Sequence, residues 1–248
     1  MRKLLNTLFV TTPDAYVSLD GENVVILKDE ERLLRVPLHN LESIVTFGYT
    51  GASPALMGTC ADRGIALSFC TAHGRFLASV TGETQGNVTL RRTQYRAADD
   101  EKQSLAIARN ILLGKLHNSR WVLERATRDY PERLDTERIK QACWQIMESI
   151  KEVQKAESFG TLMGIEGNAA SRYFSVFDEL ILQNKEAFFY KERSRRPPLD
   201  NVNALMSFFY TLLSHDIAAA LTGVGLDPFV GFLHKDRPGR RSLALDIM

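Results

Sequence analysis

Cysteine is scarce in this chain: Cys60, Cys70 and Cys143 are the only three in 248 residues, and they form neither a CxxC pair nor an even set. That pattern argues against a disulfide framework and a structural zinc site, and it fits a reducing compartment. Net charge is also nearly absent. The 31 Lys and Arg against 30 Asp and Glu leave a formal +1, so affinity for a polyanion would have to come from local clusters. No run of roughly 18 apolar residues occurs. The N-terminal stretch MRKLLNTLFVTTPDAYVSL has two cations but only a broken apolar run and no small-residue cleavage site. The expectation is a soluble cytoplasmic protein. There is no GxxxxGK followed by Ser or Thr, and Gly223-Val224-Gly225 follows a predicted helix instead of a strand, which disfavours nucleotide-dependent chemistry. No GxSxG elbow anchors a serine nucleophile. His39, His73 and His117 have no acid or cysteine at metal-ligand spacing. His215 and Asp216 are neighbours on a predicted helix and point about 100° apart, which disfavours a shared metal.

Apolar residues make up 44% of the chain, enough for a real core in one large domain or two modest ones. The character of the sequence changes near residue 85. Before it lie short β-rich runs: Tyr16 to Leu19 and Val24 to Leu27 flank Asp20-Gly21-Glu22-Asn23, and Leu33 to Val36 follows a polar turn. Ile44 to Phe47 and Ile65 to Phe69 flank a short helix from Pro54 to Arg63, started by Ser53 and stopped by Gly64. His73-Gly74 turns into Phe76 to Val80. This part is expected to be a small, mostly antiparallel β domain over residues 1–85.

Residues 86–100, with the basic stretch Arg91 to Arg96, are expected to be a linker. Residues 101–248 are expected to form an all-helical domain, so the fold class is α+β. There the apolar period becomes that of a helix. Ala106, Ile107, Ile111, Leu112 and Leu116 fall on one face; Ile139, Ala142, Cys143, Ile146, Ile150 and Val153 fall on another. A third run holds Ala169, Tyr173, Phe177, Leu180 and Ile181. A fourth, capped by Asp200 and ended at Gly223, carries Leu205, Phe209, Leu212 and Leu221. Phe174, Phe177, Phe208 and Phe209 read as core aromatics.

Two stretches carry chemistry. In GFLHKDRPGRRSLALDIM, His234 precedes Lys235, Arg237, Arg240 and Arg241, then an apolar run with a single acid, Asp246. A neutral imidazole can bind a divalent metal, a carboxylate can share it, and arginines suit phosphate oxygens. In LMGIEGNAASRYF, Glu166 stands between Gly164 and Gly167 among small residues that would admit another backbone or a nucleic-acid strand. Each helical glycine costs roughly 1 kcal/mol of helix stability. Alone, Glu166 also reads as a surface acid beside a tight helix crossing, and His234 as a packed histidine.

Together the two stretches resemble those of a known family, the first CRISPR-associated protein, the spacer integrase described as a metal-dependent DNA endonuclease. GIEGNAASRYF, the run from Arg195 to His234, SLALDIM, GKLHN from Gly114 to Asn118 and RRTQYR from Arg91 to Arg96 carry the resemblance, which covers nearly the whole chain. The forms it most resembles are those of type I systems, subtype I-C. The resemblance implies a homodimer made through the N-terminal domains, a complex with the second CRISPR-associated protein, and double-stranded DNA as substrate. It implies transesterification of a CRISPR repeat by the 3′-hydroxyl of a short DNA fragment, assisted by Mg²⁺ or Mn²⁺. Glu166 and His234 match two of the family's metal ligands and are the expected catalytic residues, with Asp246 a further ligand candidate or a group that orients its neighbours. Arg193, Arg195, Arg196, Arg237, Arg240 and Arg241 are candidates for holding DNA backbone. The family's third acidic ligand would fall one residue past Met248, so the expectation is a C-terminally truncated form with weakened metal affinity. The alternative expectation is a DNA-binding dimeric scaffold with impaired catalysis.

Overall fold

The computed structural model describes residues 6–29, 31–80, 82 and 87–248. The chain divides into two compact units, Met1–Asn87 with Ala219–Gly225 and Val88–Ala218 with Leu226–Met248.

The first unit contains two four-stranded sheets. One follows the order β1 (Thr7–Val10), β5 (Ser43–Phe47), β7 (Ala66–Cys70), β8 (Phe76–Val80). The other follows β4 (Glu31–Pro37), β3 (Asn23–Lys28), β2 (Tyr16–Asp20), β6 (Gly51–Ala52). The β2–β3–β4 meander is antiparallel as its turns require. The first sheet departs from the expected pairing: β1 with β5 and β5 with β7 are parallel, with Ile44 opposite Leu67. For β5 and β7 the reason is α1 (Pro54–Arg63), which returns the chain to the same end of the sheet, as a parallel crossover needs. Its ends follow from sequence: the Ser53 hydroxyl accepts from the Leu56 N–H, and Gly64 takes the left-handed φ of 67° that stops the helix. Val17, Val24, Ile44, Leu56 and Leu67 are fully buried in this unit's core.

In the second unit, the residues expected to form a linker include a helix, α2 (Val88–Asp99), with Gln94 and Ala97 buried. The polar stretch hid it because its apolar content is low and its inward group is an amide. The remaining residues near that boundary, Thr81 and 83–86, lie outside the described set. Then come α3 (Glu101–Asp129), α4 (Thr136–Lys155), α5 (Phe159–Ser175), α6 (Asn201–Gly223), which belongs to this unit as far as Ala218, and α7 (Ser242–Ile247). Asp100, Asp135 and Ser158 cap α3, α4 and α5 by accepting backbone N–H groups. Asp200 does the same for α6, accepting from the Asn203 N–H at 2.7 Å.

The buried stripe of α3 is Leu105, Ala108, Leu112, Leu116 and Leu123, packed with Ile139, Ile146, Leu162 and Ala169 of α4 and α5. Leu112 and Leu116 are buried as expected, whereas Ala106, also expected inside, is exposed, and the stripe continues through Ala108 and Leu105. Leu205 and Phe209 are also exposed, at 44% and 58%. Helix α6 is long and apolar enough to cross a membrane by length and composition, with a hydropathy of 1.3. Interspersed Asn, Ser and Thr had hidden that property from a search for an unbroken apolar run.

Candidate active site

The segment 231–234 and α7 carry two of the candidate residues, His234 and Asp246. Asp246, only 2% exposed, turns its carboxylate into the main chain before it. Oδ2 accepts the N–H groups of Phe232 at 2.6 Å and Leu233 at 3.0 Å, and Oδ1 accepts that of His234 at 2.8 Å. Oδ1 also lies 2.7 Å from Nδ1 of the His234 ring. A carboxylate can only accept, so the ring donates from Nδ1 and its Nε2 lone pair is left available. Gly231 makes the cradle possible. A Cβ there would lie 2.7 Å from Ser242 Cβ, 2.8 Å from His234 O and 2.9 Å from Asp246 Oδ2.

A second tier steadies this segment. The buried Gln94 amide of α2 donates to the carbonyls of Asp227 at 2.8 Å and Val230 at 2.9 Å, while its oxygen accepts the Asp227 N–H at 2.8 Å. The Tyr95 hydroxyl donates to Asp227 Oδ2, and the hydrogen bond pushes its own pKa up. The Ser104 hydroxyl reaches the Phe232 carbonyl at 3.3 Å. Sequence reasoning missed Gln94 and Tyr95 as site residues, although both lie in the RRTQYR stretch.

Glu166 is the second candidate ligand. It stands on α5 in a cavity of about 470 Å³, which is also lined by Lys115, Tyr173, Phe174, Tyr210 and Met248. Its Oε1 is 2.6 Å from the Lys115 ammonium, with the two side chains 19% and 36% exposed. Lys115 reaches the cavity because Ile111, Lys115, Ser119 and Val122 recur at helical spacing along one side of α3, beside its buried stripe. It was missed as a residue, though it sits within GKLHN. A Cβ at Gly164 or Gly167 would meet nothing within 4 Å. These two glycines therefore mark no close helix crossing, whereas Ala169 of the same stretch is buried in the core.

His234 is not among the residues lining that cavity. Among the described residues, no three His, Cys, Asp or Glu side chains converge as a metal site. Glu166 and His234 nonetheless fit a divalent ion by donor chemistry. One is a carboxylate that already holds a cation; the other is an imidazole whose far nitrogen is tied to an acid, as in carboxylate–histidine–metal arrangements. Both Asp246 oxygens are engaged by backbone groups, which suits it to orienting His234.

The six candidate arginines separate into two groups. Arg193 is held by Asn203 Oδ1 at 2.7 Å and the Ser194 carbonyl at 2.8 Å, with its guanidinium 5.7 Å from the Tyr210 ring centroid. Arg240 donates to Ser242 Oγ and the Lys235 carbonyl. Arg241 lies over the Phe229 ring and 3.4 Å from His215 Nε2, and its burial lowers its pKa. Burial, then the nearby Arg241 charge, brings the His215 pKa down to about 4. Arg195, Arg196 and Arg237 are exposed.

A family model described as CRISPR associated protein Cas1 matches residues 8–248. A CRISPR-associated endonuclease Cas1 from Chlorobaculum tepidum is 52% identical over 248 residues, covering 100% of this chain and 72% of that protein. A solved partial Cas6-RT-Cas1–Cas2 complex is similar at 26% identity and a TM-score of 0.64, over 99% of this chain and 72% of the matched one. A casposase bound to integration product shares the fold, at 23% identity and a TM-score of 0.74, over 98% of this chain and 68% of the matched one.

Proposed function

This chain belongs to the Cas1 family, and from that premise we propose that it is a metal-dependent DNA endonuclease and integrase of CRISPR adaptation. The observation that carries the reading is the Asp246-held imidazole of His234, together with Glu166 in a cavity lined by Lys115 and aromatic side chains. The substrates are a short double-stranded DNA fragment and a CRISPR repeat. The 3′-hydroxyl oxygen of the fragment forms a new bond to phosphorus as a P–O bond of the repeat breaks, and the departing oxygen takes up a proton. No covalent protein intermediate is needed. Glu166 and His234 hold Mg²⁺ or Mn²⁺, which when bound supplies Lewis acidity toward the phosphodiester.

The chain's own residues do the positioning. Asp246 fixes the His234 tautomer and ring direction, and Gln94 fixes the loop that delivers residues 231–234. Arg195, Arg196 and Arg237, exposed at the surface, are best suited to bind DNA phosphates, while Arg193, Arg240 and Arg241 also brace the protein. The proposed assembly is a homodimer working with a Cas2 partner in the cytoplasm. The relative in the Cas6-RT-Cas1–Cas2 complex supports the partner.

A joining and nicking assay on plasmid with short duplex DNA and Mn²⁺ tests this reading. The native chain is active and Glu166→Ala loses both reactions while staying folded. Equal activity in the two chains contradicts it. One observation favours a second reading, a dimeric DNA-binding scaffold: Glu166 is already neutralised by Lys115. Under that reading, DNA binding is salt-sensitive, ignores divalent metal and comes without joining.

A further inference from the structure

The Lys115–Glu166 pair differs from the local pairs that run along single helices, such as Arg125–Asp129 and Lys151–Glu148. It joins α3 to α5 within a cavity, and its carboxylate is mostly withdrawn from water. A carboxylate in such a place is costly to leave without a counter-charge. Lysine is a suitable temporary partner, because its ammonium is a point charge on a four-carbon stem with no fixed bidentate geometry. Asn118 and Ser119 line the same cavity, so a displaced ammonium has polar neighbours to move toward.

We propose that Lys115 is the resident cation of Glu166, a side chain that a divalent ion must displace in order to bind. The inference rests on the metal-site reading above and adds a regulatory element to it. Without metal, Lys115 keeps Glu166 neutralised and its helix in place. Metal affinity is accordingly lower than the ligands alone would give, since every binding event includes breaking the ion pair.

The test is calorimetric titration of Mn²⁺ into the chelator-treated chain, comparing native protein with Lys115→Met, Lys115→Arg and the double variant Lys115→Met/Glu166→Gln. Circular dichroism checks that each is folded, and thermal unfolding with and without Mn²⁺ gives a second readout. The expected result is about tenfold tighter binding in Lys115→Met, the order of effect of removing one partly buried competing charge. Lys115→Arg binds no tighter than native, and the double variant loses the gain. The Mn²⁺-induced rise in Tm is correspondingly larger for Lys115→Met than for the native chain. Unchanged or weaker binding in Lys115→Met, with native binding intact and dependent on Glu166, overturns the displacement proposal but leaves the metal site standing. Absence of Mn²⁺ binding in both native and Lys115→Met chains overturns both.

Discussion

The two candidate ligands, Glu166 and the Asp246-oriented His234, are held by opposite means. Asp246 is buried in α7 and tied to three consecutive backbone N–H groups and an imidazole. Glu166 is held by one ammonium at the edge of a cavity. The first arrangement cannot change without rearranging the backbone, whereas the second changes with one lysine rotamer. A site that must orient a ligand accurately and still admit a charged substrate can use both, with rigidity on the histidine side and exchange on the glutamate side.

The largest expected effect in breaking this contrast belongs to Asp246→Ala. It strips the acceptor from three buried or partly buried N–H groups and the ring, and is expected to destabilise the chain by about 3 kcal/mol or more in chemical denaturation. A loss under about 1 kcal/mol would mean that the cradle is not the rigid element inferred here. An intermediate effect comes from His215, next to Arg241 at the start of α7. Its folded-state pKa, about 4, lies below the ordinary 6.5. Between those values the unfolded chain binds a proton that the folded chain does not. The contribution is therefore complete above the unfolded value and is lost as pH falls toward 4. The slope of Tm between pH 7 and pH 5 is expected to be shallower in His215→Gln than in the native chain. The smallest stability effect is expected for Glu166→Gln, under about 1 kcal/mol, because a partly exposed single pair contributes little. The same variant is expected to abolish Mn²⁺ binding, so stability and function separate on this side of the site and coincide on the other.

How much of this was legible in the sequence differs from element to element. The caps at Ser53 and Asp200, the stop at Gly64 and the α4 stripe through Ile139, Ile146 and Val153 follow from local rules and occur as expected. The strand pairing was less legible. The α1 crossover between Ile44 to Phe47 and Ile65 to Phe69 called for parallel pairing, but the run of turn signals suggested mostly antiparallel strands. Glu166 and His234 could be singled out because GIEGNAASRYF and the run ending at His234 resemble the family's motifs, and Asp246 because it is the single acid of the final apolar run. Their partners could not. Gln94 lies far along the chain from the carbonyls it brackets, and Lys115 is one of many surface-type lysines until α3 and α5 pack. Such long-range polar pairs leave no periodic trace, because they depend on tertiary placement rather than on helical or strand spacing.

The most direct measurement of the central claim, that Glu166 and His234 are two differently held halves of one metal site, is anomalous diffraction from crystals soaked in Mn²⁺. The expected result is a peak bonded to a Glu166 carboxylate oxygen and to His234 Nε2, with Lys115 moved away and the Asp246 cradle unchanged. A peak bound elsewhere, or no peak with Lys115 still on Glu166 at saturating Mn²⁺, would contradict it.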